Sequence, residues 1–242
     1  MGDSATVISK EIPMTMIAIA TDKYIYPPRP KTSLPFEEVS FFKDLGWVAQ
    51  YKYNGSRCII KHLPNGKIEL WNRHAEKFRT YNPPTWLQDQ IRDSLYKLGL
   101  SPTGYHLLDG ELLDQKHVAI KDTVVIWDIL VRDGQHLLGT TYGERHSTLH
   151  DTISTEERWL YKSYDFGIRL DENVLFTTSF TAGQWDGVWG TVLEVNKPFD
   201  SRPLLEGLVI KDPNGVLERG WRESNNGEWL VRCRVKTGRH NF

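Results

Sequence analysis

Two cysteines in 242 residues, Cys58 and Cys233, are too few for a disulfide framework. Each sits in an apolar-alternating run, which predicts buried free thiols and points to a reducing, intracellular (cytoplasmic) compartment. No apolar run approaches the length of a membrane span. The N-terminal stretch MGDSATVISKEIPM lacks the apolar core of a secretory signal. Formal net charge is −1, so the strongly basic balance of many nucleic-acid binders is missing, although a local basic strip would serve the same purpose. No internal repeat, low-complexity tract or obvious linker divides the chain. His74, His106, His117 and His240 fit no metal-ligand spacing and read as ordinary polar histidines.

What is present describes a globular protein. Hydrophobic residues make up 39% and charged residues 25%, and the length suffices for one large domain with a real core. Nine tryptophans are many for that length, and some are candidates for stacking surfaces. Residues 1–35, with the proline-rich YPPRPKTSLP, are expected to be an irregular lead-in. GWVAQYKY reads as a strand. SRCIIKHLPNGKIELWNR reads as two strands joined at Asn65-Gly66, a strong hairpin signal. Two prolines at 83 and 84 open a helix in which Leu87, Ile91, Leu95 and Leu98 recur at helical spacing. YHLLDGELL and DTVVIWDILV are further strands, and TTYGERHSTLHDTI begins another helix. Residues 155–200 are mixed, with a helix expected around TAGQWDGVWGTVLEV. EGLVIKD and EWLVRCRVK are the last strands. This order predicts an α+β fold with mainly antiparallel sheets flanked by helices.

Charge interrupts several of these strands. Lys52 lies between two tyrosines in YKYNGSR, Asp109 and Glu111 flank Gly110, and Glu206 precedes Gly207 with Lys211 following. Strand alternation places Arg232, Arg234 and Lys236 on one face as a basic strip. A carboxylate beside glycine at a strand end leaves room for a ligand. Glu111 and Glu206 are candidate holders of Mg²⁺, which favours few carboxylates together with phosphate oxygens and water. Arg57, Arg234 and Lys236 are candidate phosphate binders. Cations gathered around Lys52 would destabilise its ammonium and free the amine as a nucleophile. Arg73 has a second reading, as a cross-strand partner of Glu69 or Glu76. Lys211 and Arg145 carry weaker signals.

The ordered set resembles the covalent nucleotidyltransferase superfamily of ATP-dependent DNA ligases, RNA ligases and mRNA capping enzymes. KYNGSR, from Lys52 to Arg57, resembles the nucleophile motif K-x-D-G-x-R. Arg73 in WNRH stands where the family often has a second arginine. DGE, from Asp109 to Glu111, resembles its third motif. VVIWDILV resembles the strand that offers an aromatic ring to the base, which here is Trp127. EGLVIK, from Glu206 to Lys211, and RVK, from Arg234 to Lys236, resemble the remaining motifs. The resemblance runs from about residue 48 to residue 236. It implies a nucleotidyltransferase (ATP-grasp-like ligase) core over residues 36–242, with ATP and Mg²⁺ or Mn²⁺ as cofactors. It also implies roles: Lys52 as nucleophile, Lys236 and Arg234 on the α-phosphate, Glu206 on the metal, and Glu111 on the ribose or a metal-bound water. Arg57 and Lys211 would join the nucleotide site, Trp127 would stack on the base, and Gln50, two positions before Lys52, would read it. Glutamine there suits adenine or guanine. Asn54 departs from the pattern, which favours aspartate, while keeping the turn chemistry before glycine.

The resemblance implies three steps: formation of a lysyl-AMP bond, transfer of AMP to a polynucleotide 5′-phosphate, and attack by a 3′-hydroxyl. Only six residues follow Lys236, too few for the OB-fold domain usual in DNA ligases and capping enzymes. With Asn54, this favours an RNA ligase acting as a monomer. A DNA ligase comes second on WDILVRDGQ and EGLVIKD, and an mRNA guanylyltransferase third. A silent nucleic-acid-binding module on the same core would have lost the nucleophile or a carboxylate, yet Lys52, Glu111, Glu206 and Lys236 are all present.

Overall fold

A computed structural model of the chain describes residues 24–235 apart from 115, 117–119, 154–156, 200–201 and 219. Lys236, His117 and His240 fall outside the described residues. In chain order the elements begin with β1 (Arg29–Leu34), the short helix α1 (Ser40–Asp44), β2 (Val48–Tyr53), β3 (Ser56–His62) and β4 (Ile68–Trp71). Helix α2 (Thr85–Lys97), β5 (His106–Leu113), β6 (Thr123–Arg132), β7 (Gln135–His136) and α3 (Tyr142–His150) follow. The chain continues through β8 (Arg158–Tyr161), β9 (Tyr164–Asp171), β10 (Val174–Phe176), α4 (Trp185–Asn196), β11 (Leu205–Lys211) and β12 (Asn226–Arg234).

These strands form two sheets. One has the order β1-β12-β11-β2, and the other has the order β4-β3-β5-β6-β10-β9-β8, with β7 on β6. Only β1 with β12 and β10 with β6 run parallel among the described strands. The turn at Asn54-Gly55 carries the chain from β2 in the first sheet to β3 in the second. Lys52 and Arg57, five positions apart across that turn, therefore belong to different sheets and stand on opposite walls of one cleft.

Alternation explains why a lysine sits between tyrosines. Ala49, Tyr51 and Tyr53 point into the core between the first sheet and α4, where Trp185, Val188, Val192 and Val195 repeat at helical spacing. Gln50 and Lys52 take the other face. Helix α2 covers the second sheet with Leu87, Ile91 and Leu95, as its periodicity predicts, and Leu98 just beyond it joins the same core. Helix α3 starts at Thr141, whose side chain accepts from Glu144 N while the Glu144 carboxylate accepts from Thr141 N. Both cysteines are buried free thiols. Among the described residues no helix is long and apolar enough to cross a membrane.

Two expectations change. The proline-rich segment expected to be irregular contains β1, which pairs with β12, and the adjacent Ile25 is fully buried. Pro30 is tolerated because β1 is an edge strand, where a missing N–H breaks no inner ladder. Residues 24–35 thus belong to the same folded unit as the strands that follow. Residues 155–200, read only as mixed with a helix, also contribute β8, β9 and β10 to the second sheet.

Candidate active site

The two sheets face a cleft of about 670 Å³. On the first wall, Lys52 on β2, Gly207 on β11 and Arg234 on β12 are direct cross-strand partners. Gly207 has φ +143°, and a Cβ there would lie 2.0 Å from the Cys233 carbonyl oxygen, so only glycine fits between them. A register shift between Leu205 and Gly207 displaces Glu206, which reaches both cations. Lys52 Nζ donates to Glu206 Oε2, and Arg234 Nη2 lies 3.2 Å from the same oxygen. Burial works to raise the Glu206 pKa, but Lys52 and then Arg234 outweigh it and hold the carboxyl below its usual range. Arg232 shares this face, as the alternation of the last strand predicts. Buried Arg232 Nε and Arg234 Nε have no hydrogen-bond partner, leaving donors aimed at an anion.

This corrects one expectation. Lys52 was to be activated by surrounding cations, yet its immediate neighbour is a carboxylate. Glu206 sits between Lys52 and Arg234.

The second wall is more tightly closed. Arg57 on β3 donates to Asp109 Oδ1 from Nε at 2.8 Å, to Asp109 Oδ2 from Nη2, and to the Pro28 carbonyl at 2.9 Å. Trp127 Nε1 donates to Asp109 Oδ2 at 2.8 Å, and the Arg57 guanidinium lies 5.6 Å from the Trp127 ring centroid. Trp127 owes its position to a register shift: Asp109 pairs with Asp128 and Gly110 with Ile126, so residue 127 is the extra residue of a bulge. The ring is half-buried and lines the cleft, where a nucleobase would stack.

Glu111 on β5 is 8% exposed and accepts from Gly55 N at 3.0 Å. A Cβ on Gly55 would lie 2.5 Å from Glu111 Cγ, so glycine in the nucleophile motif makes room for this carboxyl. Burial pushes the Glu111 pKa up to about 7 against the pull of Lys52, Lys116 and Arg57. Lys211 is 6% exposed, with Nζ 4.3 Å from the Tyr142 ring centroid. Burial brings its pKa down to about 8 despite Asp128 and Asp109. Gln50 lines the cleft and donates from Nε2 to Ser179 Oγ at 3.1 Å.

The remaining predicted residues divide. Arg73 stands at the cleft rim beyond β4 and donates from Nε to His74 Nε2 at 3.0 Å. Its expected partners are engaged elsewhere: Glu69 by Lys67 and Lys77, and Glu76 by Arg79. Asn54 faces away from Lys52, donating from Nδ2 to the Pro203 carbonyl at 2.7 Å and pinning the turn to the start of β11. Arg145 is not in the cleft lining; with Asp128 it forms a buried two-point pair at 2.9 and 3.0 Å. Asp109, read only as a flanking charge, is the hub of the second wall. Lys116, which donates to the Gly55 carbonyl and lines the cleft, lies in an irregular segment that gave no periodic signal.

Among the described residues no group of three or more His, Cys, Asp or Glu converges. A cation here would rest on Glu111 and Glu206 and take its other ligands from phosphate oxygens and water, a donor set that suits Mg²⁺.

No family model matches the sequence. A DNA ligase of Cenarchaeum symbiosum (strain A) is 26% identical over 204 residues, covering 76% of this chain and 30% of that protein. The ligase domain of M. tuberculosis LigD superposes with a TM-score of 0.51 at 18% identity, covering 86% of this chain and 59% of that one. The solved chain Pmar-Lig_PreS3 gives a TM-score of 0.50 at 15% identity, covering 88% and 47%. The chain thus spans less than a third of the curated ligase and about half of these solved chains. The α+β fold with mainly antiparallel sheets expected from the sequence is the fold this chain has, and it is similar to that ligase domain.

Proposed function

We propose that the chain is the adenylyltransferase core of an ATP-dependent polynucleotide ligase that joins 5′-phosphate and 3′-hydroxyl ends. The observation that carries this reading is the Lys52–Glu206–Arg234 cluster, set in a cleft whose far wall offers Trp127. Trp127 stacks on the base and Gln50 reads its edge. Arg57, Arg73 and Lys211 complete the nucleotide-binding set. Arg234, with Lys236 beyond it, faces the α-phosphate. Lys52 Nζ passes a proton to Glu206, with which it is in hydrogen-bond contact, and attacks the α-phosphorus. The P–N bond forms as the bond to pyrophosphate breaks. A 5′-phosphate oxygen then takes the AMP from Lys52, and a 3′-hydroxyl displaces AMP to seal the ends. Mg²⁺ or Mn²⁺ bound by Glu111 and Glu206 would neutralise charge on the phosphates.

RNA ends are the favoured substrate because Asn54 replaces the motif's aspartate, and the protein is read as a monomer. Nicked DNA is the second reading, favoured by the similarity to a DNA ligase. Incubation with Mg²⁺ and ATP labelled at the α-phosphate should leave label on the denatured chain. A chase with 5′-phosphorylated RNA or DNA should then release it to one of the two. Absence of label after incubation with ATP would sink the proposal.

A further inference from the structure

Gln50 lines the cleft two positions before Lys52 yet is only 2% exposed, so its amide is held from behind. Two hydrogen bonds between Ala49 and Phe180, at 2.9 and 2.8 Å, clamp the segment after β10 against β2 and bring Ser179 beside Gln50. Ser179 Oγ in turn lies 3.2 Å from His146 Nε2 on α3. Neither Ser179 nor His146 is part of the cleft lining.

A serine hydroxyl has one proton to give, so the polarity of this chain is set at its far end. Burial, reinforced by the charge of Lys211, lowers the His146 pKa to about 4, and the imidazole is neutral at physiological pH. The ring also hydrogen-bonds the Thr177 backbone in the sense that favours keeping its proton there. Nε2 is then the acceptor, and Ser179 donates to it. Toward Gln50, Ser179 can only accept, which turns the Gln50 NH₂ inward and Oε1 to the cleft.

We propose that Ser179 and His146 are positioning residues that fix the Gln50 amide with its carbonyl toward the nucleotide, so that the site selects adenine over guanine. The inference rests on the proposed reading of the cleft as a nucleotide site. Adenine presents a 6-amino donor where guanine presents an O6 acceptor, so one edge pairs with Oε1 and the other opposes it. Without the relay the amide flips freely, and glutamine alone would serve either base.

The test compares binding of ATP and GTP by calorimetry, alongside covalent labelling from each, for the wild type, Ser179→Ala, His146→Leu and the double variant Ser179→Ala with Gln50→Glu. The wild type should favour ATP on the order of tenfold or more. Either single variant should shrink that ratio toward unity. The double variant should restore it, because a carboxylate only accepts. Wild-type GTP binding as tight as ATP binding overturns the inference. So do single variants that weaken both nucleotides equally with the ratio unchanged, which is the mark of a merely structural role. Selective ATP binding without any covalent label supports the relay and removes the transfer reading. If neither nucleotide binds, both fall.

Discussion

On the first wall of the cleft, Lys52 and Arg234 share a single carboxylate, and Arg232 Nε and Arg234 Nε are left without partners. On the second wall, Arg57 and Trp127 close both oxygens of Asp109, and behind it Arg145 closes both oxygens of Asp128. The first arrangement has cations in excess and is ready to receive an anion. The second is satisfied internally and holds shape. Substitutions on the two sides should therefore fail in different ways.

The largest effect is expected at Lys52. Lys52→Ala should reduce covalent nucleotide labelling to background while the melting temperature moves by only about 2 °C, since the Glu206 carboxylate keeps Arg234 as its partner. Equal labelling by the variant, measured on denaturing gels, would break the contrast. Arg145→Met should do the reverse. It strands the Asp128 carboxylate in the core and should cost about 3–5 kcal/mol in urea unfolding. Arg57→Met should cost less, about 1–3 kcal/mol, because water from the cleft reaches the vacated position and Trp127 still donates to Asp109.

Lys211 sharpens the comparison through pH. Folded Lys211 sheds its proton near pH 8, whereas the unfolded chain keeps it to about 10.5. The unfolded state binds more protons between those values, so this residue makes stability rise with pH across that window, by about 3 kcal/mol at the limit. Buried Cys58, Cys233 and several tyrosines, whose folded pKa values are raised, pull stability the other way over the same range, so the readout is a difference. Between pH 7.5 and 10 (roughly spanning the window) urea titrations should show stability changing more favourably in the wild type than in Lys211→Met. The smallest effect belongs to Arg232. Arg232→Gln should weaken polynucleotide binding a few-fold and lower the salt slope by about one, uniformly across sequences. An unchanged slope would remove Arg232 from the anion-binding face.

Strand alternation alone placed Arg232 and Arg234 on one face, and the same parity in the structure puts Gln50 and Lys52 on the cleft side, because period-two patterning survives any tertiary arrangement. Helix α2 was legible in its leucine spacing for the same reason. What stayed hidden depends on irregularity and distance. The bulges that aim Glu206 and Trp127 leave no periodic trace. The Gln50–Ser179 contact joins residues 129 apart in sequence, and Asn54 turns its side chain to Pro203 rather than to its neighbour Lys52. Pro30 concealed β1, since proline signals a break unless the strand is known to be an edge.

The pairing of β1 with β12 has a consequence for how the protein is made. Lys31 and Glu228, joined across these strands at 3.2 Å, are 197 residues apart. The strand between β1 and β11 is therefore supplied last during synthesis, after the whole second sheet has left the ribosome. The sheet that carries Lys52 has to wait for it, with the β11 edge open in the meantime. Folding of the nascent chain is thus ordered from the shape-holding wall to the reactive one, and the lysine meets its completed surroundings only when β12 docks.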